Sequence, residues 1–232
     1  MSNPDLESDV VIVGSGMGGG TTAYALAKKG VNVLVLERGE RLPSEKQNWD
    51  PKEVFVNKRY KSKEVWVDSK GKKFEAGVHF YVGGNTKMYG ASLPRLREKD
   101  FEELHLQTGI SPSWELNYSD FAPYYEKAEK LYHVHGVAGV DPTEPARKNE
   151  FVGKPKPLEP FFEPLRAALQ RQGVKPYDLP ISWSNNQDDP SGDSEVFGVA
   201  TAIEDPSFHL RIEAKVTCLH VNASGNEVKG VE

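Results

Sequence analysis

Three glycines near the start of the chain have the spacing of a phosphate-binding loop. Gly14, Gly16 and Gly19 form a Gly-x-Gly-x-x-Gly pattern directly after the apolar segment 9–13. Glycines in this pattern permit a sharp turn, a close approach of the backbone to a pyrophosphate, and close packing of a helix on a sheet. The helix that follows offers N–H groups and a partial positive charge to the diphosphate. The spacing therefore predicts a dinucleotide site.

A carboxylate follows where the ribose of such a dinucleotide is expected. The apolar segment 31–36 predicts a buried strand, and Glu37 stands at its end, 23 residues after Gly14. A carboxylate at a strand end can accept hydrogen bonds from the ribose hydroxyls of an adenosine. Its charge would repel a 2′-phosphate, which disfavours NADP, and the neighbouring Arg38 weakens that argument only slightly. FAD and NAD share the ADP half, so the glycines and Glu37 leave both open.

A second glycine-bearing segment, residues 82–95, has only weak periodicity. Such a segment suits a backbone that runs along a flat ligand. On composition alone, a surface loop with two turns is an equally good interpretation. The segment therefore adds a candidate ligand contact without deciding its nature.

The elements that must position these residues form a βαβ unit. Ala23 and Leu26 share one face of the predicted helix, which Gly30 is placed to end. The nearly all-apolar segment 31–36 is typical of a buried parallel strand. A strand, a glycine turn, a helix and a second strand within about 30 residues form one such unit. The predicted fold class is α/β, a doubly wound Rossmann-like sheet.

The middle of the chain changes character and predicts part of an inserted α+β substrate domain. Ser119 is placed to cap one helix, and a second helix is predicted from about 162 to 172. Residues 182–193 are polar and predict a loop. These features interrupt the predicted Rossmann-like sheet.

The last stretch returns to β structure. Strands are predicted at 209–212 and 216–221, and the turn before Val228 predicts a hairpin. The predicted domains are an N-terminal FAD-binding part, a partial substrate or cap domain, and return strands of the FAD-binding domain, over residues 1–95, 96–195 and 196–232.

Composition excludes several partners. Twenty-nine Lys and Arg against 34 Asp and Glu give a formal charge of −5, so the net charge does not attract the phosphates of a nucleic acid. The single cysteine, Cys218, provides neither an internal disulfide nor a metal cluster. No apolar run approaches the length of about 20 residues that crosses a bilayer. The polar, acidic start predicts no secretory signal, and we expect a cytoplasmic protein.

The order of these motifs resembles the glucose–methanol–choline (GMC) oxidoreductases, which depend on FAD. The glycine pattern with 35–39 resembles the ADP-binding entry of that family, and residues 82–91 resemble its second flavin signature. Segments 213–216 and 228–232 are similar to its return hairpin, where the backbone at Val216 would meet adenine. The resemblance, together with the glycine pattern, predicts these cofactor contacts: Gly14, Gly16, Gly19, Glu37, Arg38, Gly83, Gly84, Asn85, Thr86, Met88, Tyr89, Gly90, Ala91 and Val216.

The resemblance also indicates how FAD is held and which branch is closest. Residues 118–129 resemble the bacterial sugar-dehydrogenase and pyranose-oxidase side of the family. Members like pyranose oxidase carry a flavin-linked histidine where Met88 stands here, and a thioether cannot form that bond. Asn85 and Tyr89 also depart from the usual second signature. We therefore expect FAD to be bound non-covalently.

The resemblance implies oxidation of a CH–OH group of an alcohol or sugar by hydride transfer to flavin, with an electron acceptor of unassigned class. None of the six histidines matches the family's catalytic histidine, which lies near the C-terminus of chains about twice as long. We therefore predict no catalytic residue here, no metal, and a chain that is incomplete without a C-terminal half. Two alternatives remain: an NAD-binding Rossmann oxidoreductase, and an inert truncated nucleotide-binding fragment.

Overall fold

A computed structural model of the protein describes residues 7–27, 29–183 and 192–232. The chain forms two compact units. The first consists of the described residues up to Tyr89 and from Asp193 onward, and the second runs from Gly90 to Gly192. The predicted roles of the domains stay predictions.

The described residues contain four α-helices and eleven strands in chain order. The helices are α1 (Met17–Leu26), α2 (Tyr118–Leu131), α3 (Glu163–Arg171) and α4 (Ala200–Ala202). The strands are β1 (Val10–Val13), β2 (Val33–Leu36), β3 (Val65–Val67), β4 (Lys73–Glu75), β5 (Leu104–Leu106), β6 (Gly109–Ser111), β7 (Val134–His135), β8 (Ile181–Ser182), β9 (Phe208–Arg211), β10 (Leu219–Val221) and β11 (Val228–Val231). Short 3₁₀ or π-helical turns cover Lys46–Trp49, Lys52–Val56, Gly84–Met88, Glu98–Phe101, Pro160–Phe162 and Glu195–Val199.

The first unit is built on a parallel sheet with the order β1-β2-β9. β2 is central, with Val33 paired to Val10 on one side and to Phe208 on the other. Because a central parallel strand is covered on both faces, a continuous apolar sequence is what this position requires. The predicted βαβ unit and the α/β, Rossmann-like class are therefore confirmed. The core contains Ile12, Ala23, Val33, Val35, Val82, Val199, Ala202 and Phe208.

Two predicted boundaries in this unit are wrong. α1 ends at Leu26 rather than at Gly30, whose φ of +72° belongs to the turn that leads into β2. Residues 216–218 are not a strand, since β10 begins at Leu219 and pairs antiparallel with β11. The predicted hairpin itself is confirmed.

The second unit carries α2, α3, the short hairpin β5–β6 and the antiparallel pair β7–β8, whose two strands are far apart in the sequence. Asn117, and not Ser119, caps α2: its side chain accepts a hydrogen bond of 2.9 Å from the N–H of Ser119. The prediction failed because Asn and Ser are both good caps, and Asp120 completes a capping box only for Asn117. The predicted helix near 162–172 is confirmed as α3.

A buried ion network organises this unit. Glu129 on α2 accepts two hydrogen bonds from Arg95, at 2.7 and 2.8 Å, and two from Arg147, at 2.6 and 3.1 Å. Arg147 also pairs with Glu144 at 2.7 Å. All four side chains are less than 10% exposed. The two guanidinium charges are thus matched by two carboxylates, which burial of charge requires.

The loop predicted at 182–193 falls largely on 184–191, outside the described residues. Ser182 lies in β8, and Asp193 lies just before the π-helical turn Glu195–Val199, where it accepts hydrogen bonds from the N–H groups of Glu195 and Val196. No helix in the described part of the chain is both long and apolar enough to cross a membrane.

Candidate cofactor-binding site

The glycine loop turns off β1 in a conformation that its sequence permits. Gly14 has a φ of +88°, which favours glycine, and its N–H donates to the carbonyl of Leu36 at 2.8 Å. Gly19 lies so close to the loop that a Cβ there would be 1.9 Å from the carbonyl oxygen of Gly14. The first glycine thus makes the turn, and the last permits close packing of α1 on the loop.

The start of α1 offers space and donors to an anion. Gly16 is the N-cap residue, and no side chain caps the helix. The first turn contains no acidic side chain, and a Cβ at Gly16 or Gly18 would have no atom within 4 Å. Backbone N–H groups at an uncapped helix start, with the positive end of its dipole, suit a phosphate group.

Glu37 lies buried at the end of β2, with 4% of its surface exposed. One carboxylate oxygen accepts hydrogen bonds from Ser15, from its N–H at 2.9 Å and its hydroxyl at 2.6 Å. The other accepts from the N–H of Gly39 at 2.9 Å. A carboxylate has about four acceptor positions, so three are in use and one is left for a ribose hydroxyl.

The positive charge of Arg38 is paired with a neighbouring carboxylate and lies against an aromatic ring. Its guanidinium makes two hydrogen bonds of 3.4 Å to Glu64 and lies 3.6 Å from the ring centroid of Phe80. The hydrogen bond from Arg38 lowers the pKa of the Glu64 carboxyl, and Lys215 adds a weaker effect. Pairing with Glu64 and stacking on Phe80 hold the guanidinium in place.

The second glycine-bearing segment begins against the first loop. Gly83 has a φ of +92°, and its N–H donates to the hydroxyl of Ser15 at 3.0 Å. A Cβ at Gly84 would lie 3.2 Å from the Cα of Gly16. The structure therefore brings together the two segments that the sequence singled out, with Ser15 between them.

The remaining predicted contacts of this segment are placed differently. Thr86 is buried, and the side chain of Asn85 is occupied by the N–H of His79 at 2.8 Å. Met88 and Tyr89 are half-buried in the first unit. Gly90 and Ala91 belong to the second unit and have φ values of +71° and +58°.

Lys87 joins the second segment to the chain that returns from the second unit. Its ammonium lies 3.0 Å from Asp193 and 2.6 Å from Glu195, and its side chain is 9% exposed. Burial alone would lower the pKa of Lys87, but the two carboxylates outweigh it, so that the pKa is raised. Arg41 also pairs with Glu195.

Sequence reasoning missed Ser15 and Ser194, two fully buried serines that link these segments. The hydroxyl of Ser194 lies 3.0 Å from the carbonyl oxygen of Ser15 and 2.9 Å from that of Gly16. The N–H of Ser194 donates to the hydroxyl of Thr86 at 3.0 Å. No local signal could reveal Ser194, because its partners are more than 100 positions away in the sequence.

Val216 follows a segment that lies beside the end of β2. The N–H of Ala214 donates to the carbonyl of Glu37 at 2.9 Å, and that of Glu213 to the carbonyl of Gly39 at 3.0 Å. Two residues span at most about 7 Å, so Val216 is near the predicted ribose site. The structure thus groups the glycine loop, Glu37, Gly83, Gly84 and the approach to Val216.

Comparison with known proteins agrees with this geometry. Residues 9–114 match the family described as FAD dependent oxidoreductase. The fructose dehydrogenase large subunit of Gluconobacter japonicus is 30% identical over 62% of this chain and 30% of its own length. The 6'''-hydroxyparomomycin C oxidase of Streptomyces lividus is 30% identical over 79% of this chain and 33% of its own length. The chain thus spans about a third of the length of these relatives.

The fold has a solved counterpart. An FAD-dependent oxidoreductase from Chaetomium thermophilum matches 97% of this chain and 41% of its own, with a TM-score of 0.65 and 16% identity. Its fold agrees with the Rossmann-like α/β assignment, and the matched family selects FAD over NAD. These comparisons agree with the resemblance noted in the sequence: residues 9–114 match an FAD-dependent oxidoreductase family, and both relatives bear the names of enzymes that oxidise their substrates.

Proposed function

We propose that the first unit binds the ADP half of FAD non-covalently, with each cofactor segment in a defined role. The glycine loop and the start of α1 take the pyrophosphate, and Glu37 takes the adenosine ribose. The observation that carries this proposal is the uncapped start of α1, which lies in the same hydrogen-bonded cluster as the buried carboxylate of Glu37. The N–H donors at the start of α1 suit the pyrophosphate, and the carboxylate acceptor of Glu37 suits the ribose hydroxyls.

The second segment is proposed to run along the pyrophosphate and the flavin, from Gly83 to Ala91. Its start touches the first loop through Ser15 and Gly16, which supports a shared ligand. The resemblance to the glucose–methanol–choline family places Met88 where its pyranose-oxidase-like members carry a flavin-linked histidine, and a thioether forms no such bond. Val216 is proposed to lie by the adenine because Ala214, two residues before it, donates its N–H to the carbonyl of Glu37 at 2.9 Å. Arg38 is proposed to border the adenosine through its contact with Phe80.

The whole protein is proposed to oxidise a CH–OH group of a small alcohol or sugar. The names of two relatives support this substrate class, since one is a fructose dehydrogenase subunit and the other oxidises a hydroxyparomomycin. FAD, when bound, supplies the acceptor for the hydride of such a group. The residues of this chain would bind and orient the cofactor, and we assign no catalytic role to its histidines. The cytoplasmic location and a separate C-terminal half stay predictions.

Reconstitution tests both parts of the proposal. The purified protein is incubated with FAD, freed of excess cofactor, and examined for flavin absorbance before and after acid precipitation. We expect absorbance that acid releases into the supernatant, since the attachment is non-covalent. Flavin that stays with the precipitate would contradict the non-covalent assignment, and a colourless protein would contradict the cofactor assignment. Reduction of a dye acceptor with alcohols and sugars then tests the substrate class.

A further inference from the structure

Ser194 occupies a special place in the first unit because one side chain reaches two consecutive carbonyls of the glycine loop. Its hydroxyl is 3.0 Å from the oxygen of Ser15 and 2.9 Å from that of Gly16, and the residue is fully buried. A Cβ at Gly20 would lie 2.0 Å from this hydroxyl, so glycine at that position leaves the hydroxyl room. The contact is therefore built into the packing of α1.

The hydroxyl has one proton, which it shares between these two carbonyl oxygens, and the shared contact bears on the direction of the next two N–H groups. A peptide is planar and trans, so the carbonyl of one residue and the N–H of the next point in opposite directions. Holding the carbonyl of Ser15 toward Ser194 turns the N–H of Gly16 away from it. The carbonyl of Gly16, which also accepts the N–H of Gly20 at 2.8 Å, orients the N–H of Met17 in the same way. Both N–H groups belong to the start of α1, where the pyrophosphate is proposed to bind.

The backbone of the same residue also holds the second cofactor segment. The N–H of Ser194 donates to Thr86 at 3.0 Å, and the adjacent Asp193 pairs with Lys87. Asp193 in turn accepts hydrogen bonds from the N–H groups of Glu195 and Val196, at 2.8 and 3.0 Å, which fixes its own position. Residues 193 and 194 thus contact both the glycine loop and the second segment.

We propose that Ser194 is a positioning residue, whose hydroxyl orients the N–H groups of Gly16 and Met17 toward the pyrophosphate of the cofactor. This inference rests on the proposed function, and it makes a finer claim: the side chain of Ser194 favours binding of the diphosphate and not of the nucleoside. A residue that only stabilises the fold would affect both parts of the ligand alike.

The test compares ADP and adenosine as competitors of FAD on the protein and its variants. Ser194→Ala removes the hydroxyl, and we expect ADP to bind about tenfold more weakly. One hydrogen bond contributes about 0.5–1.5 kcal/mol, and the upper end of that range corresponds to a roughly tenfold change in affinity. Adenosine should compete within about twofold of the unchanged protein. Ser207→Ala is the matched control, because it removes a serine hydroxyl bonded to Asp205 in the same unit, outside the cofactor segments.

Ser194→Cys is the second variant and guards against a folding failure of the first. A thiol is a weaker donor than a hydroxyl, so the loss of ADP affinity should be smaller than in Ser194→Ala, again with adenosine unchanged. An equal loss for ADP and adenosine, or no loss for either in both variants, would overturn the inference. Failure of the unchanged protein to bind FAD and ADP at all would instead overturn the proposed function, and with it this inference.

Discussion

The hydroxyl of Ser15 donates to the carboxylate of Glu37 at 2.6 Å, and the same hydroxyl accepts from the N–H of Gly83 at 3.0 Å. Three stretches of chain therefore meet at one buried oxygen: the glycine loop, the end of β2 and the start of the second segment. Donation to a carboxylate strengthens the acceptor character of that oxygen. The parts of the site consequently depend on one another.

Replacing Glu37 should damage both the cofactor site and the fold. Glu37→Gln keeps the shape but has one acceptor oxygen, so its amide group must face the N–H of Ser15 or of Gly39. A buried donor without an acceptor costs about 1–3 kcal/mol. We expect a loss of that order in the free energy of unfolding, measured with urea, and FAD affinity at least about tenfold weaker.

Glu40→Gln is the control for that substitution. Glu40 lies three positions later and is exposed, so its change should leave both urea unfolding and FAD titration unaltered. If Glu37→Gln behaved like Glu40→Gln, the assignment of the ribose site to Glu37 would be wrong.

Two adjacent glycines of α1 should respond oppositely to alanine. In Gly19→Ala the new Cβ would lie 1.9 Å from the carbonyl of Gly14, so the loop must move, at a cost of about 1–3 kcal/mol. In Gly18→Ala the Cβ meets no atom within 4 Å, and alanine stabilises a helix by up to about 1 kcal/mol. Thermal unfolding should show a lower midpoint for the first variant and an equal or higher one for the second. Equal midpoints would contradict the close packing described for Gly19.

The sequence predicted the local parts of this fold better than its long-range contacts. The βαβ unit was predictable because β1, α1 and β2 are adjacent and their apolar patterns differ. Ser194 was not, since its role comes from partners in the glycine loop and the second segment. The same reason explains Ser15, which reads as an ordinary loop residue until Glu37 and Gly83 are placed beside it.

The wrong predictions, of the α2 cap and of the start of β10, came from weak local sequence signals. Asn117 and Ser119 are both good helix caps, and the sequence offered no way to rank them. The strand predicted from Val216 begins only at Leu219, because 217 and 218 hydrogen-bond through their N–H groups to Glu232 alone. The predicted cofactor contacts are grouped in part, with Gly90 and Ala91 in the second unit and the rest in the first.

The ion network of the second unit should be sensitive to loss of its shared carboxylate. Glu129→Ala removes the carboxylate partner of Arg95, whose side chain is only 2% exposed. Arg147 keeps its pairing with Glu144. Removing one member of a buried ion pair costs about 3–5 kcal/mol. Urea unfolding should show this loss. Glu126→Ala, one turn earlier, removes a partly buried carboxylate that accepts a hydrogen bond from Asn149, and it should cost less than about 1 kcal/mol. A similar cost for both variants would refute the network's importance.

Stability should fall in mild acid through His79. Burial lowers the pKa of its imidazole below 6.5, although Asn85 acts in the opposite direction. The unfolded chain therefore binds a proton at a higher pH than the folded one, and the free energy of unfolding decreases as the pH falls through and below 6.5. His79→Gln removes this contribution, so its thermal midpoint should change less between pH 7.5 and pH 5.5. An identical change in both proteins would show that His79 titrates normally.

The central claim is that this chain recognises the ADP half of FAD through its glycine loop and Glu37. Equilibrium titration of the cofactor-free protein with FAD, in competition with ADP, NADP and riboflavin, tests it most directly. We predict saturation at one FAD per chain, displacement by ADP, and little displacement by NADP, whose 2′-phosphate faces the carboxylate, or by riboflavin, which lacks the ADP half. Absence of saturable FAD binding, or displacement by NADP as effective as that by ADP, would contradict the account.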